Sequence, residues 1–146
     1  MSYDFQVNRV YRFDSKIMAL MGDMDLPRPI IPMAIKQMCD RYEVEAPSVE
    51  FEPRRRVTSS YYPSLKLIKF PTNPHTGHHH LAIVCHETAH HIQQTHKLGA
   101  DEPDHGPTFV RLYIQLLAEF GSSELNFQDL MYEARKMGIK VSEFPK

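Results

Sequence analysis

The sequence predicts an α+β domain, a short twisted sheet packed on one helix and followed by further helices. Three observations predict it. Short runs rich in aromatic and β-branched residues fill the first half of the chain. Apolar residues recur at helical spacing through the second half. The predicted order is strand, helix, strands, then helices, which is that of an α+β fold.

Taken in order, residues 5–13, FQVNRVYRF, read as a strand from their aromatic and β-branched content. LPRPIIP is a proline-rich connection, and residues 33–42 read as a helix with Pro32 at its first turn. Ser48–Glu52 alternates as a short strand. Val57–Tyr62 and Leu65–Phe70 read as two more strands, joined by a turn at Tyr62-Pro63-Ser64. Residues 71–77, PTNPHTG, form a loop by their breakers. A helix then runs from about His78 to His96, and KLGADEPDHG interrupts it. Pro107 starts a second strong helix through Phe120, with Phe109, Val110, Tyr113, Leu116, Leu117 and Phe120 at helical spacing. A third helix runs from about Asn126 to Met137, and Gly138 suits its C-terminal cap.

The 146 residues have the length of one ordinary domain, 1–146. A net charge of −1 gives no support to a general nucleic-acid or membrane-surface binder. Arg54-Arg55-Arg56 reads as a solvated patch. Two cysteines, Cys39 and Cys85, make no disulfide framework. The N-terminus lacks the pattern of a signal peptide, and no apolar run is long enough to span a bilayer. These features predict a reduced, cytoplasmic protein. All nine histidines lie between His75 and His105, and that clustering is the unusual feature of the composition.

Within the cluster, His86-Glu87-Thr88-Ala89-His90 has the form H-E-x-x-H. Residues four apart on a helix share a face, so two imidazoles can grip one ion, and zinc is the usual one. Glu87 stands one residue on, beside the ion and not on it, where it can take a proton from a water and pass it to a leaving amine. Counted at about 100° per residue, Leu81, Val84, Cys85, Thr88 and Ile92 share one side of this helix, and His86, His90 and Glu87 share the other. Ile83 is the exception, an apolar residue on the polar side.

A catalytic zinc takes three protein ligands and keeps one open position. His96 would complete a metzincin spacing, but Gln93 stands where that spacing needs a glycine to end the helix. A continuing helix carries His96 about 15 Å along the axis from His86. His105 lies beyond the Gly99 break, just before the next helix, where a helix–loop–helix return can bring it back. Asp101, Glu102 and Asp104 are further candidates, Asp104 also as a partner of a ligating histidine. The spacing favours His105.

HETAH, followed fifteen residues after its second histidine by HGPTF, resembles the H-E-x-x-H … H-G-P-x-F signature of SprT-like zinc metallopeptidases. The doubled His90-His91 and the ending ARKMGIKV are similar to small metallohydrolases of actinobacteria and phages. The likeness covers roughly residues 65–142 and implies a zincin-like fold, zinc ligands at His86, His90 and His105, and a general base at Glu87. It also implies that the strand before the active helix, here LKLIKF, is an edge that aligns an extended peptide. The four-cysteine ribbon common in SprT-like proteins is missing from this sequence, and with no basic surplus the DNA-linked roles of some relatives gain no support.

The reading is a zinc-dependent metallopeptidase acting on a peptide or protein substrate. The alternative is a non-proteolytic zinc-binding accessory or protein-interaction module; a third is hydrolysis of a non-peptide amide. Cys85 and Cys39 read as buried inert thiols. His75, His78, His79 and His80 read as solvated residues at the helix entrance, and His91 as a packed or surface residue. Tyr61, Tyr62 and Tyr113 are candidate donors to a developing oxyanion, each with core or sheet packing as its plainer role.

Overall fold

The computed structural model describes residues 3–53, 58–72, 78–121 and 124–143. Arg54, Arg55, Arg56, Val57 and His75, all assigned above, lie outside the described residues.

The N-terminal segment is a helix, α1 (Val7–Met21), and not a strand. Val10, Phe13 and Ile17 recur at helical spacing and are fully buried. Their burial against the core overrides the strand preference of the aromatic and β-branched residues. No side chain caps the helix start at Gln6, so its beginning carries no local signal. The chain continues through β1 (Asp25–Pro27) into α2 (Ile31–Arg41), whose Ile31, Ile35, Met38 and Cys39 are buried.

One sheet holds β2 (Ser48–Pro53), β3 (Ser60–Tyr62) and β4 (Leu67–Thr72), in the order β2-β4-β3. β2 runs parallel to β4 in the register Ser48↔Leu67, and β3 runs antiparallel to it in the register Tyr61↔Ile68. LKLIKF is therefore not an edge. β4 is the central strand, and Leu67, Ile68, Phe70 and Pro71 are all buried, the near-continuous apolar run of a strand covered on both faces. Leu65 belongs instead to a 3-10 turn (Pro63–Leu65) and is exposed. The outer strand beside the central helix is β3.

β5 (His78–His80) pairs antiparallel with β1, and α3 (Leu81–His96) starts directly after it. His80 caps α3, with its Nδ1 accepting from the Ala82 N–H at 3.0 Å and its Nε2 on the Gly22 carbonyl at 2.9 Å. It is a built-in cap, not a solvated histidine. α4 (Pro107–Phe120) packs along α3, and α5 (Phe127–Lys136) packs on α4. α5 begins with a reciprocal capping box between Asn126 and Asp129, and Gly138 follows its end at φ +76°. The result is the predicted α+β arrangement, with α3 enclosed by α1, α2, α4 and the sheets. Among the described residues, no helix is long and apolar enough to cross a membrane.

Candidate metal centre

α3 continues through Gln93, as a helix without the metzincin glycine should. The buried Gln93 donates from Nε2 to the Leu98 carbonyl at 3.1 Å. The chain then reverses through Lys97 and Gly99, both with positive φ. A Cβ on Gly99 would stand 2.9 Å from the Thr108 side chain, so both backbone conformation and space favour glycine. Glu102 holds the start of α4, accepting from the Thr108 N–H and hydroxyl, each at 2.8 Å. This return carries His105 back beside α3.

His105 Nε2 lies 3.3 Å from His86 Nε2 and 3.3 Å from His90 Nε2. Ligand atoms of all three histidines lie within 4.8 Å of one another, and the three could hold a metal ion. The spacing has a simple interpretation. Two nitrogens on neighbouring corners of a tetrahedron with metal–nitrogen bonds of about 2.0–2.1 Å stand roughly 3.3 Å apart. His96 is elsewhere, its Nε2 on the Tyr42 carbonyl at 2.7 Å.

The outer nitrogens explain which atoms face inward. His86 Nδ1 meets both Asp14 carboxylate oxygens, at 3.1 and 3.2 Å. His105 Nδ1 meets Asp4 Oδ2 at 2.8 Å. A carboxylate accepts, so each imidazole donates from Nδ1 and, when neutral, turns a lone pair inward at Nε2. Two lone pairs facing one another at this range suit a shared cation. Gln6, almost fully buried, donates to the His105 carbonyl at 2.9 Å and is bonded on both sides of its amide to Lys140. The N-terminal segment thus holds the third histidine by both side chain and backbone.

Phe109 is the common platform. It stacks on His90 at 4.2 Å between ring centroids, and its ring meets His86 and His105 at 5.0 and 5.1 Å. The HGPTF motif therefore has a residue-by-residue meaning: His105 enters the cluster, Pro107 opens α4, Thr108 receives Glu102 and Phe109 supports the three rings.

The side of α3 carrying these groups is not a solvated face. His86, Glu87 and His105 are buried, with Asp14 of α1 on His86, Ser59 on Glu87 and Asp4 on His105. Burial holds the His90 imidazole well below its usual pKa, reinforced by His86 and His105. His105 is lowered by burial, with the bond to Asp4 opposing. Burial acts in the same direction on His86, but the Asp14 carboxylate outweighs it and its pKa is raised. Glu87 is raised by burial, against the opposing effects of His86 and of the Ser59 hydroxyl, which donates to its Oε2 at 3.0 Å.

Glu87 stands where two cavities meet. One, of about 420 Å³, opens over the three histidines and is walled by Ser59, Ser60 and Tyr61. The other, of about 320 Å³, lies on the α1 side. Tyr11 borders both and packs against His86 and His105, at 6.3 and 5.4 Å between ring centroids. Of the tyrosines considered from sequence, Tyr113 is fully buried in the core, and Tyr62 lies under the Lys69 ammonium. Tyr61 borders the larger cavity, but its hydroxyl is on His91 Nδ1 at 2.9 Å. His91 Nε2 must donate to the Glu45 carbonyl at 2.7 Å, so Tyr61 donates to Nδ1 and its proton is engaged. Asp104 borders the cavity, whereas the partner of His105 is Asp4.

Asp4, Asp14, Tyr11 and Ser59 were not found from sequence. Asp14 did leave a signal: with 7–21 read as a helix, it is an acid set on the apolar stripe of Val10, Phe13 and Ile17. Comparison with protein-family models, curated proteins and solved structures finds no match to this chain.

Proposed function

We propose that this protein is a zinc-dependent metallopeptidase of the SprT-like kind, with His86, His90 and His105 as ligands and Glu87 as general base. The observation that carries the reading is the cluster of three Nε2 atoms beside a buried carboxylate at the mouth of a cleft. The donor set fits zinc: three imidazoles, two of them oriented by carboxylates. Bound there, zinc would act as a Lewis acid and acidify a water molecule.

The chain's own residues supply the rest. Ser59 occupies Glu87 Oε2 and leaves Oε1 to receive a proton. A water oxygen adds to the peptide carbonyl carbon while its proton passes to Glu87. As the carbon–nitrogen bond breaks, Glu87 returns that proton to the leaving nitrogen. Burial raises the Glu87 pKa, which makes the carboxylate a better proton acceptor. An extended peptide aligns along β3, a role supported by the Ser60 and Tyr61 walls of the cleft and by the outer position of that strand in its sheet.

The test is digestion of an unstructured protein by the zinc-loaded enzyme. Cleavage that stops with a chelator and returns with added zinc supports the reading. Stoichiometric zinc with no cleavage of any peptide favours a binding module instead.

A further inference from the structure

Two of the three histidines ride on α3, whose backbone fixes them. His105 lies in the return before α4 and has no helix of its own, so its place depends on its tethers. Asp4 holds the ring through Nδ1 at 2.8 Å, and Gln6 holds the carbonyl at 2.9 Å. Gln6 is only 1% exposed, and both ends of its amide are used. Nε2 donates to the Lys140 carbonyl at 3.1 Å as well as to His105, and Oε1 accepts from the Lys140 N–H at 2.9 Å. An amide suits this place by its chemistry. A carboxylate would face two carbonyl oxygens, and an apolar side chain would donate to neither.

The segment after α5, residues 138–142, is tied on both sides of His105. Arg9 of α1 donates from Nη1 to the Gly138 carbonyl at 3.3 Å. At the start of α4 the Pro107 carbonyl accepts from the Ser142 N–H at 3.1 Å, and Arg111 Nη1 donates to the Ser142 carbonyl at 3.2 Å. Ile139 pins the segment to the core. Residues 4–6, 105–107 and 138–142 therefore form one clasp, with the Gln6 amide at its centre. We propose that Gln6 is a positioning residue that couples the metal centre to segment 138–142, so that filling the histidine site and docking that segment reinforce each other. A metal ion on His105 Nε2 keeps the His105 carbonyl within reach of Gln6, and Gln6 within reach of Lys140. The coupling is reciprocal: docking raises metal affinity by the factor by which bound metal favours docking. The inference goes beyond the peptidase reading, because it concerns metal binding and holds whether or not a peptide is cut.

The experiment measures amide hydrogen exchange at Lys140 and Ser142 in the whole chain, with zinc and with a chelator, and zinc affinity by competition with a chromophoric chelator. Both are carried out on the wild type and on Gln6→Met, which keeps much of the side-chain bulk and loses the three hydrogen bonds. Zinc should slow the two amides about tenfold in the wild type and leave the Ser142 amide of the variant as it was. Gln6→Met should bind zinc about tenfold more weakly. Exchange in the wild type that ignores zinc at both amides overturns the coupling, whether or not the variant folds. Equal slowing of Ser142 in both proteins means that the coupling does not run through Gln6 and overturns the proposal as well. Unchanged zinc affinity in Gln6→Met, even with a lower melting temperature, reduces Gln6 to a structural residue.

Discussion

Asp14 and His86 lie 72 residues apart in the chain, yet the Asp14 carboxylate meets His86 Nδ1 at 3.1 and 3.2 Å. Asp4 holds His105 in the same way across 101 residues. Both acids come from the N-terminal region, so the segment most distant in sequence from the histidines fixes which of their nitrogens face inward.

Asp14→Asn and Asp4→Asn should therefore weaken metal binding while leaving all three histidines in place. Each should cost about 10–100-fold in zinc affinity. Competition with a chromophoric chelator measures it. Unchanged affinity in both variants would reduce the two acids to packing residues.

The third ligand has its own contrast. His105→Ala removes one of three inward nitrogens and should abolish tight zinc binding. His96→Ala removes only a bond to the Tyr42 carbonyl and should leave zinc binding as it was. Metal content after dialysis separates the two, and the reverse pattern would place the ligand at His96.

HETAH and HGPTF were legible because their meaning is local: a helical spacing of four, and a histidine just before a helix start. The absence of glycine at Gln93 correctly separated His96 from His105. What was not legible came from long-range packing. FQVNRVYRF has the composition of a strand and becomes α1 only through burial of Val10, Phe13 and Ile17, and with that misreading Asp14 disappeared from view. The family resemblance implies an edge at LKLIKF, whereas pairing with both β2 and β3 makes that strand central. Which strands flank a given strand is set by the whole chain and is not written in its own residues.

Burial of Glu87 makes a prediction about stability. Its folded pKa is raised above the unfolded value of about 4.3. The protonated form is thus favoured by folding, and the stability it contributes is present below that unfolded value and lost as pH rises through the folded pKa. In metal-free protein, Glu87→Gln removes this dependence. The variant should melt at a higher temperature than the wild type at pH 7.5, and the gap should close as the pH falls below about 4.3. Calorimetry with a chelator present checks it; equal melting temperatures at pH 7.5 would contradict the account of that carboxylate.

The two cysteines should be chemically silent. Both are buried, and burial pushes the Cys39 thiol up to about 12 and raises Cys85 as well. A disulfide reagent at pH 8 should titrate neither thiol in native protein and both after denaturation. Rapid native reaction of Cys85 would mean that α3 opens next to His86.

The central claim is that one carboxylate moves the proton at a zinc site built by three histidines. Its most direct test is zinc content and peptide hydrolysis measured together on the wild type and Glu87→Gln. The account predicts one zinc per chain in both proteins, with turnover in the wild type and a loss of at least about a hundredfold in the variant. Equal turnover by the variant at full zinc loading would contradict it.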